Sequence, residues 1–327
     1  MLQQLQINDL LGQPLAQPIY LHYEVVGQPL YTAPIVLINH ALTGNSNVAG
    51  TNGWWKTLVG PEKTIDTQKY TIISFNIPGN GYNSPILHES QQPKSIQEVA
   101  SIFLSGLQKL NIEKLHTIIG GSIGGAIAWE MLSQQPNICK ILIPIATDYK
   151  TRDWLHGHCL IQKFLLDNPE NGLEKARMHA MLCYRSPQSI NDRFQNKKSE
   201  DQEIPQSEAW LHYHGNALKN RFHIESYRLM NHLLSTIAVD LRPIESSDAE
   251  IHLIAVDQDL FFPAREIKET YQQYKNRIKN IHYHEISSEH GHDAFLIEYE
   301  QLNKILNPIL NYHEQQYHYH LQQQSAY

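Results

Sequence analysis

With 327 residues, 41% of them hydrophobic, the chain can form one large domain or two around an ordinary globular core. Its net charge of −7, from 26 basic and 33 acidic residues, argues against a nucleic-acid or anionic-membrane binder, and no Lys/Arg cluster exceeds Lys197-Lys198. No stretch approaches the ~20 apolar residues of a membrane helix, and Met1 to Gln6 lacks the basic and apolar regions of a signal peptide. Three widely spaced cysteines, Cys139, Cys159 and Cys183, fit reduced, buried thiols in a cytosol. None has a partner at metal-ligand spacing, so no metal is expected.

Residues 1 to 34 are polar and alternating, and Ile19 to Val26 alternates like a half-buried antiparallel strand. Ile35-Val36-Leu37-Ile38-Asn39 is a continuous apolar run that suits a strand buried on both faces. Thr71 to Asn76 is another, ending in Ile77-Pro78-Gly79-Asn80-Gly81. Residues 95 to 110 carry one broad apolar face and predict a helix. Thr117-Ile118-Ile119 reads as a strand, Ala126 to about Gln135 as a helix, and Ile141 to Ala146 as a further strand. Between about 150 and 245 strand-like runs vanish. Helical stretches take their place at 153–166, 172–184, 206–218 and 221–238, broken at Asn168-Pro169, Ser186-Pro187 and the polar run from Asn196 to Ile204. The sheet pattern then resumes with Ile251 to Val256, a helix at 264–276, a strand at Ile281 to Ile286 and a closing helix at 293–310. The His-rich tail from Tyr312 to Gln324 is expected to fray.

Strand-helix alternation predicts an α/β protein, a mostly parallel sheet with helices on both faces. The expected organisation is a core of residues 1–149 and 246–327 with a helical lid, 150–245, inserted between two sheet strands. In such a sheet the site lies at the carboxyl ends of the strands. The loops at His40, Pro78-Gly79, Ser122 and beyond Ala146 would gather there.

Gly120-Gly121-Ser122-Ile123-Gly124 reads Gly-x-Ser-x-Gly between a strand and a helix, the pattern of a nucleophile elbow. A serine nucleophile needs a base, and the base an orienting acid, in the chain order Ser, Asp, His. Asp257 and Asp259 follow one late strand; His290 and His292 follow the next. Either member of each pair could serve, the other being a capping or loop residue. Gly120 to Gly125 lacks the dinucleotide fingerprint, and no Walker lysine follows a glycine-rich loop, so no cofactor is expected.

The motifs together resemble the homoserine O-acetyltransferase family of the α/β-hydrolase fold. The resemblance rests on His40-Ala41-Leu42-Thr43-Gly44, Gly53-Trp54-Trp55 with Gly60-Pro61, the elbow at Ser122, and Gly172 to Arg177. It extends to Arg221-Phe222 with Ser226-Tyr227, Asp259 with Phe262-Pro263, and Gly291-His292-Asp293-Ala294-Phe295. It implies a triad of Ser122, Asp259 and His292, with the backbone amides of Leu42 and Ile123 forming an oxyanion hole. It also implies Arg177 for the substrate carboxylate, Asp293 for its ammonium, and Tyr227 in the same pocket. On residues alone, Arg177 would be a surface ion pair and Asp293 the N-cap of the last helix. The implied reaction is acetyl transfer from acetyl-CoA, a co-substrate, to L-homoserine through an acyl-serine, in methionine biosynthesis. A cytoplasmic homodimer joined through the lid is implied as well.

The sequence departs from that family after Asn76. Pro78-Gly79-Asn80-Gly81 is closer to plain hydrolases than to the family's Gly-Gly-Cys-type turn. Arg221-Phe222-His223-Ile224-Glu225-Ser226-Tyr227 also differs from the usual Arg-Phe-Asp-Ala-Asn-Ser-Tyr. A serine esterase on the same fold, succinyl transfer and a serine acceptor are the alternatives.

Overall fold

The computed structural model describes residues 1–199 and 204–324, with side chains described to residue 311. In chain order it contains β1 (Gln3–Leu10), β2 (Gln13–Gly27), β3 (Ile35–Asn39), β4 (Val59–Gly60), β5 (Ile65–Asp66) and β6 (Thr71–Phe75). Next come α1 (Ile96–Lys109), β7 (Leu115–Gly121), α2 (Ile123–Gln134) and β8 (Cys139–Ile145). The chain then runs through α3 (Asp153–Leu166), α4 (Gly172–Tyr184), α5 (Pro187–Phe194), α6 (Gln206–Lys219) and α7 (Ile224–Ser235). It closes with β9 (Glu250–Val256), α8 (Ala264–Tyr274), β10 (Ile281–Ile286) and α9 (Tyr299–Gln324).

The main sheet has eight strands in the order β1-β2-β6-β3-β7-β8-β9-β10. From β6 to β10 every neighbouring pair is parallel; β2 is antiparallel to β6 and β1 to β2. Strand apolarity follows from the layers. In β3, Leu37 faces one hydrophobic cluster with α1 and α2, while Val36 and Ile38 face another with α9. Ile118 and Ile119 of β7 divide in the same way. With helices on both faces each strand must be apolar at every position, which is why these runs do not alternate. The outer strand β2 does alternate at Leu21, His22 and Tyr23, as a half-buried antiparallel strand should.

The segment between β8 and β9 holds α3 to α7 and, among the described residues, adds no strand to the main sheet. Four differences from the sequence expectation have local causes. The pair Ser186-Pro187 opens α5 rather than only ending a helix, because Ser186 caps the Ser189 amide and proline suits the first helical turn. The closing helix starts at Tyr299, since Gly291–Leu296 forms a tight 3-10 turn first, so Asp293 is not its N-cap. The backbone of α9 continues to Gln324 through the tail expected to fray; the side chains of the tail histidines lie outside the described residues. The fourth difference lies at the N-terminus, where β1 forms an edge strand that the polar pattern did not delimit. Residues 200–203 of the polar run after Asn196 lie outside the described residues. No helix among the described residues is long and apolar enough to cross a membrane.

Candidate active site

Ser122 stands between β7 and α2 with φ 57 and ψ −129. This left-handed conformation is costly for a residue with a Cβ and is found where a turn is held by its surroundings. The flanking glycines make it possible. A Cβ on Gly120 would lie 2.4 Å from the backbone of Gly124, and one on Gly124 would lie 2.4 Å from the Asn39 carbonyl oxygen. The elbow therefore seats the start of α2 directly on the end of β3. The Asn39 side chain fastens the same junction by donating to the Gly124 carbonyl at 3.2 Å.

The Ser122 hydroxyl donates to His292 Nε2 at 2.9 Å, and His292 Nδ1 donates to Asp259 Oδ2 at 2.7 Å. All three side chains are buried. Asp259 Oδ1 accepts the amides of Phe261 and Phe262 at 2.6 and 2.8 Å, so the carboxylate is fixed from both ends. The rings of Phe261, Phe262, Phe295 and Tyr184 surround His292 with centroids 4.9 to 5.9 Å away. Such walls exclude water and strengthen the hydrogen bonds they enclose.

The paired alternatives separate by geometry. Asp257 accepts the Ser287 hydroxyl at 2.7 Å and the Ser288 amide at 2.9 Å, tying the end of β9 to the end of β10. His290 Nδ1 accepts from Arg185 Nη1 at 3.2 Å. Neither reaches Ser122.

The loop after β3 is held by His40. Its Nδ1 donates to the Ala41 carbonyl at 2.8 Å, and its Nε2 accepts the Ile77 amide at 3.0 Å. Burial lowers its pKa to about 4, which keeps the ring neutral and able to do both. Leu42 thereby lies on the loop that packs against the start of α2. Ile123 is the first residue of that helix, and first-turn amides have no intrahelical acceptor. The Pro78-Gly79 loop is shaped by the insertion: a Cβ on Gly79 would come within 2.5 Å of Leu229 on α7.

Of the proposed substrate residues, Arg177 and Tyr227 come from the insertion and Asp293 from the turn after β10. Arg177 lies over the Tyr184 ring at 5.5 Å, a cation-π contact rather than the expected surface ion pair. Tyr184 in turn packs on His292 at 5.5 Å. Tyr227 is fully buried and hydrogen-bonded to Tyr184; burial pushes its hydroxyl up to about 12, so it stays protonated. Asp293 is taken at Oδ2 by Arg185 Nε, 3.0 Å away, each side chain 17% exposed. The surroundings are cationic. His214 is lowered to about 4, first by burial and then by Arg177 and Arg185. Arg221 donates to the Thr43 carbonyl at 2.9 Å and lines a cavity of about 290 Å³ with Asn80, Gly81 and Phe222. Tyr184 and Arg185 belong to none of the motifs singled out in the sequence. The signal available was an aromatic and a cation at the C-terminal end of the helix that carries Arg177.

Residues 34–299 match the alpha/beta hydrolase fold family. A homoserine O-acetyltransferase of Methanobrevibacter ruminantium is 30% identical over 363 aligned positions, covering 93% of this chain and 72% of its own. The chain belongs to the homoserine O-acetyltransferase family of the α/β-hydrolase fold. Among solved structures, the homoserine O-acetyltransferase of Staphylococcus aureus superposes with a TM-score of 0.80 at 23% identity, over 95% of this chain and 94% of its own. An acetylester hydrolase of Corynebacterium glutamicum superposes with a TM-score of 0.76 at 17% identity, over 94% and 95%. At these identities the superpositions speak for the shared fold, which serves transferases and hydrolases alike.

Proposed function

We propose that this member of the family moves an acetyl group from acetyl-CoA to the hydroxyl of L-homoserine, as a step in methionine biosynthesis. The observation that carries the reading is a pair of charges beside a triad walled by aromatic rings. Arg177 lies one aromatic ring from His292, and Asp293 is next to it in the chain. A simple ester gives no reason to hold a cation and a carboxylate there; a zwitterionic amino acid does.

In this reading Ser122 is the nucleophile, His292 the base and Asp259 its orienting acid. His292 takes the Ser122 proton as Oγ attacks the thioester carbon. The amides of Leu42 and Ile123 hold the oxyanion, each donor being worth about 3–4 kcal/mol. The carbon–sulfur bond breaks, the proton passes to the leaving thiolate, and an acetyl-serine remains. The homoserine hydroxyl, deprotonated by His292, attacks that ester, and Ser122 leaves with the proton returned to it. Arg177 takes the acceptor carboxylate and Tyr227 lines its pocket. Asp293 receives the ammonium at Oδ1, since Oδ2 is held by Arg185. Transfer must outrun hydrolysis, which gives the insertion 150–245 its role as a lid over the core formed by 1–149 and 246–327. Acetyl-CoA is a co-substrate, and the scheme calls on no cofactor.

A cytoplasmic homodimer joined through the lid belongs to the same proposal. Trp154, Leu160, Ile161, Phe164 and Tyr213, all on the insertion, are exposed large apolar side chains, which favours a partner surface there. Sedimentation of wild type and Phe164→Asp checks it: a dimer that the substitution splits is expected, and a monomeric wild type refutes it.

The reaction is tested by thiol release from acetyl-CoA with and without L-homoserine, with Ser122→Ala as control. Homoserine-dependent release that drops by ~10⁴-fold or more in the variant is expected. Slow release indifferent to homoserine, alongside rapid cleavage of a simple ester, would make the protein an esterase.

A further inference from the structure

We propose that the α3–α4 hairpin binds a zinc-class divalent cation through His158, His179 and Cys183. The three residues sit behind Tyr184 and Phe261, away from the Ser122 hydrogen-bond chain, and the inference does not depend on which reaction that chain performs. His179 and Cys183 are four residues apart on α4, so they share one helical face. His158 and Gln162 have the same spacing on α3. The two helices pack together, which turns the two pairs toward one another. One ligand atom from each of His158, His179 and Cys183 lies within 4.8 Å of the other two. Cys183 Sγ is 3.2 Å from His158 Nδ1. In a tetrahedral zinc centre a sulfur and a nitrogen ligand stand about 3.5 Å apart, given zinc–ligand bonds of ~2.3 and ~2.0 Å. The side chains need move only slightly to close on an ion.

Two orphaned polar atoms point to a ligand. His158 Nε2 and Gln162 Oε1 are buried without a hydrogen-bond partner among the described residues. Gln162 is only 5% exposed, and its Nε2 contacts His179 Nδ1 at 2.8 Å. A buried polar group left unpaired is costly, so Gln162 Oε1 beside the cluster calls for an occupant. A thiol–imidazole hydrogen bond accounts for Cys183 and the Nδ1 edge of His158, and leaves Gln162 Oε1 unexplained. A cation on the cluster engages the imidazoles and thiolate and offers Gln162 Oε1 a place as a fourth donor. Soft sulfur with two imidazoles selects zinc over magnesium or calcium. The four-residue spacing of His179 and Cys183 on α4 sets this proposal against the expectation that no cysteine has a partner at metal-ligand spacing. A second group, Glu250, His252 and His282, lies at the sheet edge. There His252 already contacts Glu250 at 2.9 Å and His284 at 3.0 Å, so its nitrogens are satisfied without an ion.

The test uses the full-length, untagged, chelator-treated protein titrated with Co²⁺, whose spectrum reports thiolate ligation. One equivalent should bind with a sulfur-to-cobalt charge-transfer band that Zn²⁺ abolishes by displacement. Cys183→Ala should lose the band, and His179→Gln should weaken Co²⁺ binding at least tenfold. Cys159→Ser and His282→Ala should leave both unchanged. Thermal melts establish that each variant is folded; if Cys183→Ala is not, His179→Gln and His158→Gln decide. Absence of the band, its persistence in Cys183→Ala, or cation binding abolished by His282→Ala would each overturn the proposal.

Discussion

Ser122, Asp259 and His292 follow the ends of β7, β9 and β10, whereas Arg177, Cys183 and Tyr184 lie along a helix of the insertion between β8 and β9. The two regions position chemistry differently. At the rim the backbone does the placing: strand register sets where each loop begins, and short turns leave little freedom beyond it. In the insertion, side chains do the placing, through pairs four residues apart on one helix meeting pairs on the next. Substitutions at the rim should therefore change rate with little change in fold. Those in the insertion should change substrate affinity, or stability, more gradually.

The sharpest way to break that contrast is to exchange the two late carboxylates. Asp259→Asn should lower the rate by ~10³–10⁴-fold, because the amide can no longer hold His292 in its Nδ1–H form. Asp257→Asn should stay within a few-fold of wild type, since it loses only ties between strand ends. Steady-state kinetics on both variants decides, and equal losses would remove the assignment of Asp259.

A smaller effect is expected from the insertion. Arg177→Gln should raise the homoserine KM by about 10–100-fold with little effect on the first half-reaction with acetyl-CoA, the signature of lost acceptor binding. A fall in both half-reactions instead would show that Arg177 acts through Tyr184 on His292.

Acid should act on the rim through His40. Its pKa falls from an ordinary 6.5 to about 4 by burial, so the unfolded chain takes up a proton that the folded one refuses between those values. The stability contributed is whole above about pH 6.5 and is lost as pH falls toward 4, by about 3 kcal/mol. His252, also lowered to about 4 by burial, adds in the same direction. Urea melts at pH 7 and 4.5 measure the loss. His40→Gln should flatten part of it, and an unchanged slope would place the effect elsewhere.

The mildest change is Arg185→Ala. The half-buried pair with Asp293 should be worth about 1 kcal/mol in a thermal melt. Freed from Arg185, Asp293 should bind the acceptor ammonium no worse than before; a large rise in the homoserine KM would instead give Arg185 a direct part in binding.

How much was legible follows from the same contrast. Apolar runs at 35–39, 71–75 and 141–145 announce buried parallel strands, and the loop after each lands at one rim by topology alone. The Gly-x-Ser-x-Gly turn is legible because the steric demand at Gly120 and Gly124 is local. The choice between Asp257 and Asp259 was legible only through the family resemblance, because both follow β9 and only the loop's path brings Oδ2 of one to His292. Arg185 beside Asp293 was hidden for a different reason: the partners are 108 residues apart and meet through the packing of α4 on the turn that holds His292. The cluster of His158, His179 and Cys183 needed two helices to be docked before its spacing meant anything. Long-range pairing of helix faces leaves no periodic trace in the chain.

The strained backbone at Ser122 has a consequence for how such a protein can change. A residue held at φ 57 withholds about 1–2 kcal/mol from the folded state that glycine would return. Selection for thermal robustness alone would favour Ser122→Gly and silence the enzyme in the same step. The nucleophile is thus a position where durability and turnover are opposed. Gains in robustness that keep the hydroxyl must come from elsewhere in the chain, and the docking of α3 on α4 is the place with unmet bonds to offer.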